Sequence, residues 1–525
     1  MKYKVLITTS GVGARLGKIT NYTNKSLVRV GEKPSISHII ESYPRNTEFV
    51  ITLGYFGNHV KDFLELAYPE TNFEFVNVEN FKGEGSSLLF SLYQAKDSLQ
   101  VPFIFHASDT ITMDKISEPK NNWIAGYRSK DSTSYASLSI YGNNVKSIHH
   151  KGHMNYDLVH VGLIGIFNYK EFWSIAEEIL KSDPLNSSLG DVDILKKQIS
   201  INSFESKEIS TWYDIGSVNS LISARKEISN DKFHVLDKLA ESIYLIDGCF
   251  IKFFSDLNIS NNRVKRTEYL NNTTPKIISS QGNFYKYKYV EGKLFSEISN
   301  RNNFLSFIKW AEKNLWKKVE NYDSDKFKKD CKFFYYDKTI SRIKDFHEKK
   351  NILDAPNIIN GESIPSLKDL LAKVNFDELI LDNPTNFHGD FILDNIIQLS
   401  ETDFKLIDWR QDFAGNLKGG DKYYDLAKLA HNLVVNHDII DKDLFEISIK
   451  NSNQISVNIN RTQTLVDSEN IYFEYLKQND YNVKKVKLLR AIIWLNMSPL
   501  HHHPFDLFLY YFGKYELAKI INTYN

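Results

Sequence analysis

Residues 3–17 read Tyr3-Lys-Val-Leu-Ile-Thr-Thr-Ser-Gly11-Val-Gly13-Ala-Arg15-Leu-Gly17, an apolar run followed at once by a glycine-rich turn carrying an arginine. The run 3–9 has the length and composition of a buried strand. Gly11 to Gly17 form a turn that lets the backbone come close to an anion, with amide hydrogens free to hold its oxygens. Outward from this turn, helical period resumes near Ile36 and strand pattern returns at Phe49–Leu53. Val60–Leu66 is helical, Phe73–Val76 strand-like, Ser87–Leu99 helical, and Val101–His106 strongly apolar. Short apolar runs alternating with amphipathic helices predict an α/β domain on a mostly parallel sheet, lasting to about Ala224.

The 525 residues predict two to four folding units at about 150 residues each. Acidic and basic side chains number 65 each, so no net field draws the chain to nucleic acid or a membrane. No stretch reaches the length of a membrane span, and the start is too short for a signal peptide. Two cysteines, Cys249 and Cys331, cannot make a disulfide framework and point to a reducing, cytoplasmic setting. The polar segment Arg225–Lys232 marks a junction; strand formers follow at Ile243–Phe254 and Phe284–Val290. From Phe304 onward the pattern is mainly helical, with a polar loop at Asp354–Gly361 and a surface loop at Asn451–Asn460. The oligomeric state is left open.

Gly11-Val-Gly13-Ala-Arg15 with Lys25 beyond it is neither a dinucleotide fingerprint nor a Walker loop, since it lacks the later ribose-binding acid and the G-K-[ST] end. Arg15 offers a fork of donors and Lys25 a mobile point charge; a plain tight turn is the alternative. The stretch resembles the sugar-nucleotide and phosphocholine nucleotidylyltransferases, whose signature is G-x-G-x-R with a lysine at the interval that Arg15 and Lys25 keep. The family usually opens L-A-A-G or L-A-G-G, where this chain has Thr8-Thr9-Ser10-Gly11. The resemblance implies a Rossmann-like nucleotidyltransferase domain over 1–227, with a mostly parallel mixed sheet. It makes Asp109 and Asp214, the latter in Trp212-Tyr213-Asp214-Ile215-Gly216, the Mg²⁺ ligands. It makes Arg15 and Lys25 the catalytic contacts to an NTP and Lys151 the contact to an acceptor phosphate. Gly11 and Gly13 would bind the nucleotide, and Glu84-Gly85 lies where the family reads the base. The compact length favours CTP on that family argument alone.

Phe387-His388-Gly389-Asp390-Phe-Ile-Leu-Asp-Asn395, then Leu406-Ile407-Asp408-Trp409, is the densest motif of the second half. One carboxylate to orient an alcohol, with an amide and a second carboxylate for Mg²⁺, is what phosphoryl transfer from ATP requires. The spacing resembles the catalytic stretch of the aminoglycoside phosphotransferases and choline or ethanolamine kinases, H-G-D-x-x-x-x-N and then I-D. That resemblance makes Asp390 the catalytic base and Asn395 and Asp408 the metal ligands, with Asp425 a structural acid. Choline kinases carry an acid two residues after the metal Asp; here stands Arg410, which changes a second metal position or offers a positive charge to the substrate. Lys252 and Glu268 resemble the ATP-phosphate lysine and its helix-borne partner, although no glycine-rich loop precedes Lys252. The implied fold is a two-lobed, protein-kinase-like α+β domain, with an N-lobe over 228–300 and a helical C-lobe over 301–525. His501-His502-His503 reads as loop or core edge sooner than as a metal site, and Trp494, Phe505 and Tyr510 as helix packing sooner than as a cation pocket.

A kinase makes a phosphate monoester and a nucleotidylyltransferase of this kind consumes one. The two resemblances together imply that ATP phosphorylates a small alcohol or sugar and that the product takes a nucleotidyl group, giving an activated precursor for surface polysaccharide. The competing expectation is a nucleotidylyltransferase fused to a non-catalytic, kinase-like binding or regulatory module.

Overall fold

The computed structural model describes residues 2–228, 238–320, 322–380, 383–450 and 453–524. It divides into two compact units, Met1–Ser260 with Ile278–Tyr289, and Asn261–Ile277 with Val290–Asn525. The segment expected as a lobe at 228–300 is therefore shared: its described strands up to Phe254 and at 278–289 stand in the first unit, and the rest in the second.

In the first unit β1 (Lys4–Thr8) runs parallel to β2 (Glu48–Leu53), which runs parallel to β3 (Asn72–Asn77). On its other side β1 runs parallel to β4 (Phe103–Ala107). Next in the chain come the short β5 (Thr110–Ile111), β6 (Trp123–Tyr127), β7 (Ser137–Tyr141), β8 (Asn144–His149), β9 (Leu158–Ile166), β10 (Glu205–Glu208) and β11 (Tyr213–Asp214). The main sheet has nine strands in the order β3-β2-β1-β4-β9-β6-β10-β8-β7. It is Rossmann-like and mixed: β9 is antiparallel to both β4 and β6.

Successive side chains of a strand face opposite sides of the sheet, which is why Val5, Leu6 and Ile7 are apolar in succession. Val5 and Ile7 join the core containing Val60, Phe63 and Leu64 of α1 (Gly57–Ala67). Leu6 joins the core of Leu89 and Leu92 from α2 (Leu88–Gln94) and Phe172 and Trp173 from α3 (Tyr169–Ser182).

A second sheet of four strands, in the order Glu241–Ile246, Cys249–Phe254, Phe284–Lys288, Ile277–Gln281, covers the outer face of α1. Phe63 meets Tyr244 edge-on at 5.3 Å and Phe284 at 5.8 Å, and the Tyr244 hydroxyl donates to the Leu27 carbonyl at 2.7 Å. These strands share one apolar core with the helix they cover.

The second unit is mainly helical, with long helices at Val483–Met497 and Phe505–Tyr524. The Asn451–Asn460 surface-loop expectation is corrected: residues 451–452 lie outside the described residues, but Gln454–Ile459 is a strand paired antiparallel to Phe445–Lys450. Ile455 and Val457 are buried, and this alternation is what the surrounding asparagines conceal. The expected polar loop at Asp354–Gly361 likewise contains the strand Asn357–Ile359, paired with both Glu362–Ile364 and Gln454–Ile459. Cys249 and Cys331 are not joined by a disulfide, and no described helix is long and apolar enough to cross a membrane.

Candidate functional sites

At the carboxyl ends of β1 and β4 the chain leaves the sheet through Ser10–Gly13 and Ser108–Asp109, the edge where ligands of open α/β sheets bind. Gly13 has φ +66° and a left-handed backbone, and a Cβ there would stand 3.1 Å from the Cβ of Lys25. The glycine thus lets the turn lie directly on the lysine-bearing segment. Asn24 fixes that segment, donating from Nδ2 to the Thr9 carbonyl at 2.8 Å while its Oδ1 accepts from the Ser26 amide at 2.9 Å.

Asp109 and Asp214 are joined by a pair of two-residue strands. β5 and β11 run antiparallel with Thr110 opposite Asp214, and the Ile215 amide donates to the Asp109 carbonyl at 3.0 Å. Three of the expected side chains converge on Gly216. A Cβ there would lie 2.9 Å from Asp214 Oδ1, 3.1 Å from Asp109 Oδ2 and 3.1 Å from Arg15 Nη2. Lys25 Nζ makes an ion pair with Asp109 Oδ2, and Arg15 Nη2 stands 3.9 Å from the same oxygen. Burial alone would raise the Asp109 carboxyl, but Lys25 and Arg15 outweigh it and hold it below its ordinary value. Two carboxylates meeting at one small gap form the hard-oxygen pair that suits Mg²⁺ together with substrate phosphates.

Two supports escaped the sequence reading. The Tyr135 hydroxyl donates to Asp214 Oδ2 at 3.0 Å. His106, buried in β4, spans the turn to Asp109: Nε2–H donates to the Thr110 carbonyl at 3.0 Å and Nδ1 accepts from Tyr43 at 2.9 Å. Burial pushes the imidazole down to about 4, which keeps this neutral tautomer.

Gly11 is exposed, with open space where a side chain would go. Glu84 is exposed, and Gly85 donates to the Leu185 carbonyl at 3.0 Å. Lys151 sits in an exposed turn after β8, and no contact among the described residues ties it to either acid. Lys252 is buried in the strand Cys249–Phe254 of the first unit, whereas Glu268 is exposed on a short 3₁₀ turn, Thr267–Tyr269, of the second.

In the second unit the antiparallel strands Ile396–Gln398 and Phe404–Leu406 place Asn395 and Asp408 at one end of a hairpin. The Ile407 amide donates to the Asn395 carbonyl at 2.9 Å. Asp408 adopts a left-handed backbone, φ 60°, and lies 3.4 Å from Arg263. Asn395 Nδ2 donates to the Asp390 carbonyl at 2.9 Å and to Asp390 Oδ2 at 3.2 Å. His388 is fully buried; Nε2–H donates to the Ile407 carbonyl at 2.9 Å and Nδ1 accepts from the Asp390 amide at 3.3 Å. Burial pushes it down to about 3, so it ties loop to hairpin as a neutral ring.

Asp425 is the clamp beneath that loop. Its carboxylate accepts from the amides of His388 at 2.7 Å and Gly389 at 2.6 Å and from the Trp316 indole at 3.0 Å. Asp425→Ala leaves three buried donors unpaired, each costing about 1–3 kcal/mol. The variant is expected to lower the thermal midpoint of the second unit by several degrees, with Asp425→Asn losing less, as scanning calorimetry would show. Arg266, on the helix Leu257–Arg266, braces the same loop by donating to the Phe387 carbonyl at 2.5 Å and stacking on the Phe387 ring at 4.3 Å.

Comparison with known proteins finds partial sequence similarity to curated proteins. The chain is 28% identical over 121 residues, 22% of its own length and 44% of the relative's, to a Bacillus subtilis protein named "Probable glucose-1-phosphate cytidylyltransferase". It is 24% identical over 232 residues, 43% of its own length and 54% of the relative's, to the Methanococcus maripaludis "Bifunctional protein GlmU". The chain thus spans about half the length of the curated relatives it matches. No family model matches. Among solved structures, CTP:phosphocholine cytidylyltransferase from Streptococcus pneumoniae aligns at 19% identity and a TM-score of 0.37, covering 44% of this chain and 100% of that one. Inositol-1-phosphate CTP transferase from T. maritima aligns at 16% identity and a TM-score of 0.35, covering 44% and 98%.

Proposed function

We propose that the first unit transfers a nucleotidyl group from an NTP, with CTP favoured, to a small phosphate monoester, and that the second unit makes that monoester from ATP and an alcohol or sugar. The observation that carries the first step is the meeting of Asp109, Asp214 and Arg15 at Gly216, with Lys25 on Asp109. An oxygen of the acceptor phosphate attacks the α-phosphorus in line, the bond to the β-phosphate oxygen breaks, and pyrophosphate leaves. Arg15 and Lys25 offset the charge that develops on the leaving group. Asp109 and Asp214 would hold Mg²⁺, which supplies charge neutralisation at the α-phosphate. No protein base is needed, because the attacking oxygen is already an anion and position governs the rate. Lys25→Ala is expected to slow NTP turnover by about 10²-fold or more, the scale of one lost transition-state donor. Pyrophosphate release checks it, and unchanged turnover would remove Lys25 from the site.

For the second step, Asp390 takes the alcohol proton as the oxygen bonds to the γ-phosphorus and ADP departs. Asn395 and Asp408 would hold the ATP metal at the end of their hairpin. Lys252 and Glu268 enter as contacts to ATP through the family resemblance alone. The Arg263–Asp408 pair favours a second reading, in which a cation fills the metal position and the unit binds without catalysing. Mass spectrometry of the full chain with ATP, each NTP and a panel of alcohols and sugars tests both readings. The fusion reading expects monophosphate and then its nucleotide-linked product. Product from supplied phosphates alone, with no ADP formed from any alcohol, favours the binding module.

A further inference from the structure

Beside the His388–Asp390 loop lies a partly open cavity of about 130 Å³, lined by residues of the second unit. Its walls carry four cationic side chains and no carboxylate: Lys338, Arg342, Arg410 and Lys428. They come from three places in the chain. Lys338 and Arg342 stand one turn apart on the helix Lys338–Lys350, Arg410 follows Asp408, and Lys428 projects from the helix Lys422–Asn432. Lys428 Nζ is 2.9 Å from Asp390 Oδ1, so the cavity adjoins the carboxylate assigned as base. Arg410 is locked in place: its amide donates to the His388 carbonyl at 2.9 Å and its guanidinium lies over the Phe334 ring at 5.0 Å. Lys338 Nζ sits over the same ring at 4.1 Å, and Arg342 donates to the Asn496 carbonyl at 3.1 Å. Among the described residues no carboxylate lies within ion-pair distance of Lys338, Arg342 or Arg410, and the Nε of Arg410 is buried without a hydrogen-bond partner.

Gathering four cations in a half-buried pocket costs free energy through mutual repulsion and lost hydration. The cost is visible at Lys338: burial first, then Arg410, Arg342 and Lys428, push its ammonium down to about 6. Phe334 offsets part of it, since a ring face attracts cations. An anion would offset far more: two guanidinium forks and the Lys428 ammonium match the oxygens of a carboxylate or phosphate, and a bound anion would favour the protonated form of Lys338 as well. For a cationic amino alcohol the four basic side chains oppose the attraction of the Phe334 ring and the nearby carboxylates.

We infer that the acceptor phosphorylated at Asp390 is itself an anion, a small hydroxy compound whose carboxylate or phosphate group lies among Lys338, Arg342 and Arg410. The inference rests on the kinase reading of the second unit, and it sets the acceptor apart from choline-like amino alcohols. The hydroxyl of such an acceptor would reach Asp390 past Lys428 while its anionic end stays in the cavity.

The test uses the full chain and acceptors matched in size: glycerol, glycerate, glycerol 3-phosphate and choline. Calorimetric binding of each, with inorganic phosphate as an added anion, is measured beside ATP-dependent phosphorylation. The expected result is binding of the anions but not of glycerol or choline, turnover of a charged acceptor, and a loss of at least about tenfold in affinity in Arg342→Met. Lys338→Met repeats the comparison should Arg342→Met fold poorly, with circular dichroism checking both. Whether glycerate or glycerol 3-phosphate is preferred separates a carboxylate from a phosphate site. Choline or glycerol phosphorylated as well as the anions would overturn the inference and leave the kinase standing. Anion binding sensitive to Arg342→Met without any turnover would uphold the anion site and sink the kinase reading. Equal, negligible binding of every compound, phosphate included, would overturn the inference outright.

Discussion

Asp109→Asn is expected to abolish pyrophosphate release from NTP and acceptor phosphate, by about 10³-fold or more, while ATP-dependent phosphorylation by the second unit persists. The carboxylate does two things that an amide cannot. It is held ionised by Lys25 and Arg15 against a burial that would otherwise raise it, so it carries full charge at neutral pH. It also meets Asp214 at Gly216, where in the proposed reaction the two carboxylates would hold a divalent ion. Removing one of two carboxylates from such a site costs several kcal/mol of transition-state stabilisation, and each 1.36 kcal/mol is tenfold in rate. Asparagine keeps the shape and the main-chain bond from Ile215, so the fold should hold, which a thermal melt would verify. Pyrophosphate release measured across Mg²⁺ concentrations is the decisive readout. A rate near that of the unaltered protein would remove Asp109 from the metal site, and full recovery at high Mg²⁺ would reduce its part to affinity.

What made these acids hard to pair from sequence is the element that joins them. The strand 3–9 announces itself, because a centre strand buried on both faces must be apolar throughout, and Val5, Leu6 and Ile7 are. Asp109 and Asp214 are brought together by β5 and β11, two residues each, too short for any period to register. Only the resemblance pointed to them, and it was silent on Tyr135, whose loop carries no motif. The reading of the motif around Asp390 came from the resemblance of its spacing to that of small-molecule kinases. The resemblance implied a structural role for Asp425, but not that it clamps the His388 and Gly389 amides, since tertiary packing decides which buried acid meets which loop. The strand at Gln454–Ile459 was hidden because asparagine and serine fill its exposed positions, leaving Ile455 and Val457 as its only buried apolar marks. The cationic cavity is the extreme case. Lys338 and Arg342 belong to no sequence motif, and only the fold brings Arg410 and Lys428 beside them.

Asp390→Asn is expected to separate the two proposed reactions, cutting phosphorylation of the free acceptor by about 10²–10⁴-fold while leaving nucleotidyl transfer to a supplied phosphate intact. The carboxylate lies on a loop held from several directions: by Asn395 to its carbonyl and Oδ2, by His388 to its amide, and by Lys428 to Oδ1. Burial works against the charge of Lys428, but Asp390 outweighs it and raises the ammonium above its ordinary value. Lys428 is therefore charged at neutral pH, and in the proposed reaction Asp390 accepts the alcohol proton. An amide in its place still accepts one hydrogen bond but cannot take that proton. It also frees Lys428 for the anionic acceptor, so binding of the charged acceptor should hold or tighten while turnover collapses. A purely structural role predicts the reverse, weaker acceptor binding and a lower melting temperature together. The assay supplies the variant with either the free acceptor or its phosphate, each with ATP and NTP. Product from the phosphate but not from the free acceptor supports Asp390 as base. Normal product from the free acceptor would reject it and return the second unit to a binding role, with Arg263 at Asp408 as the reason it cannot hold the ATP metal.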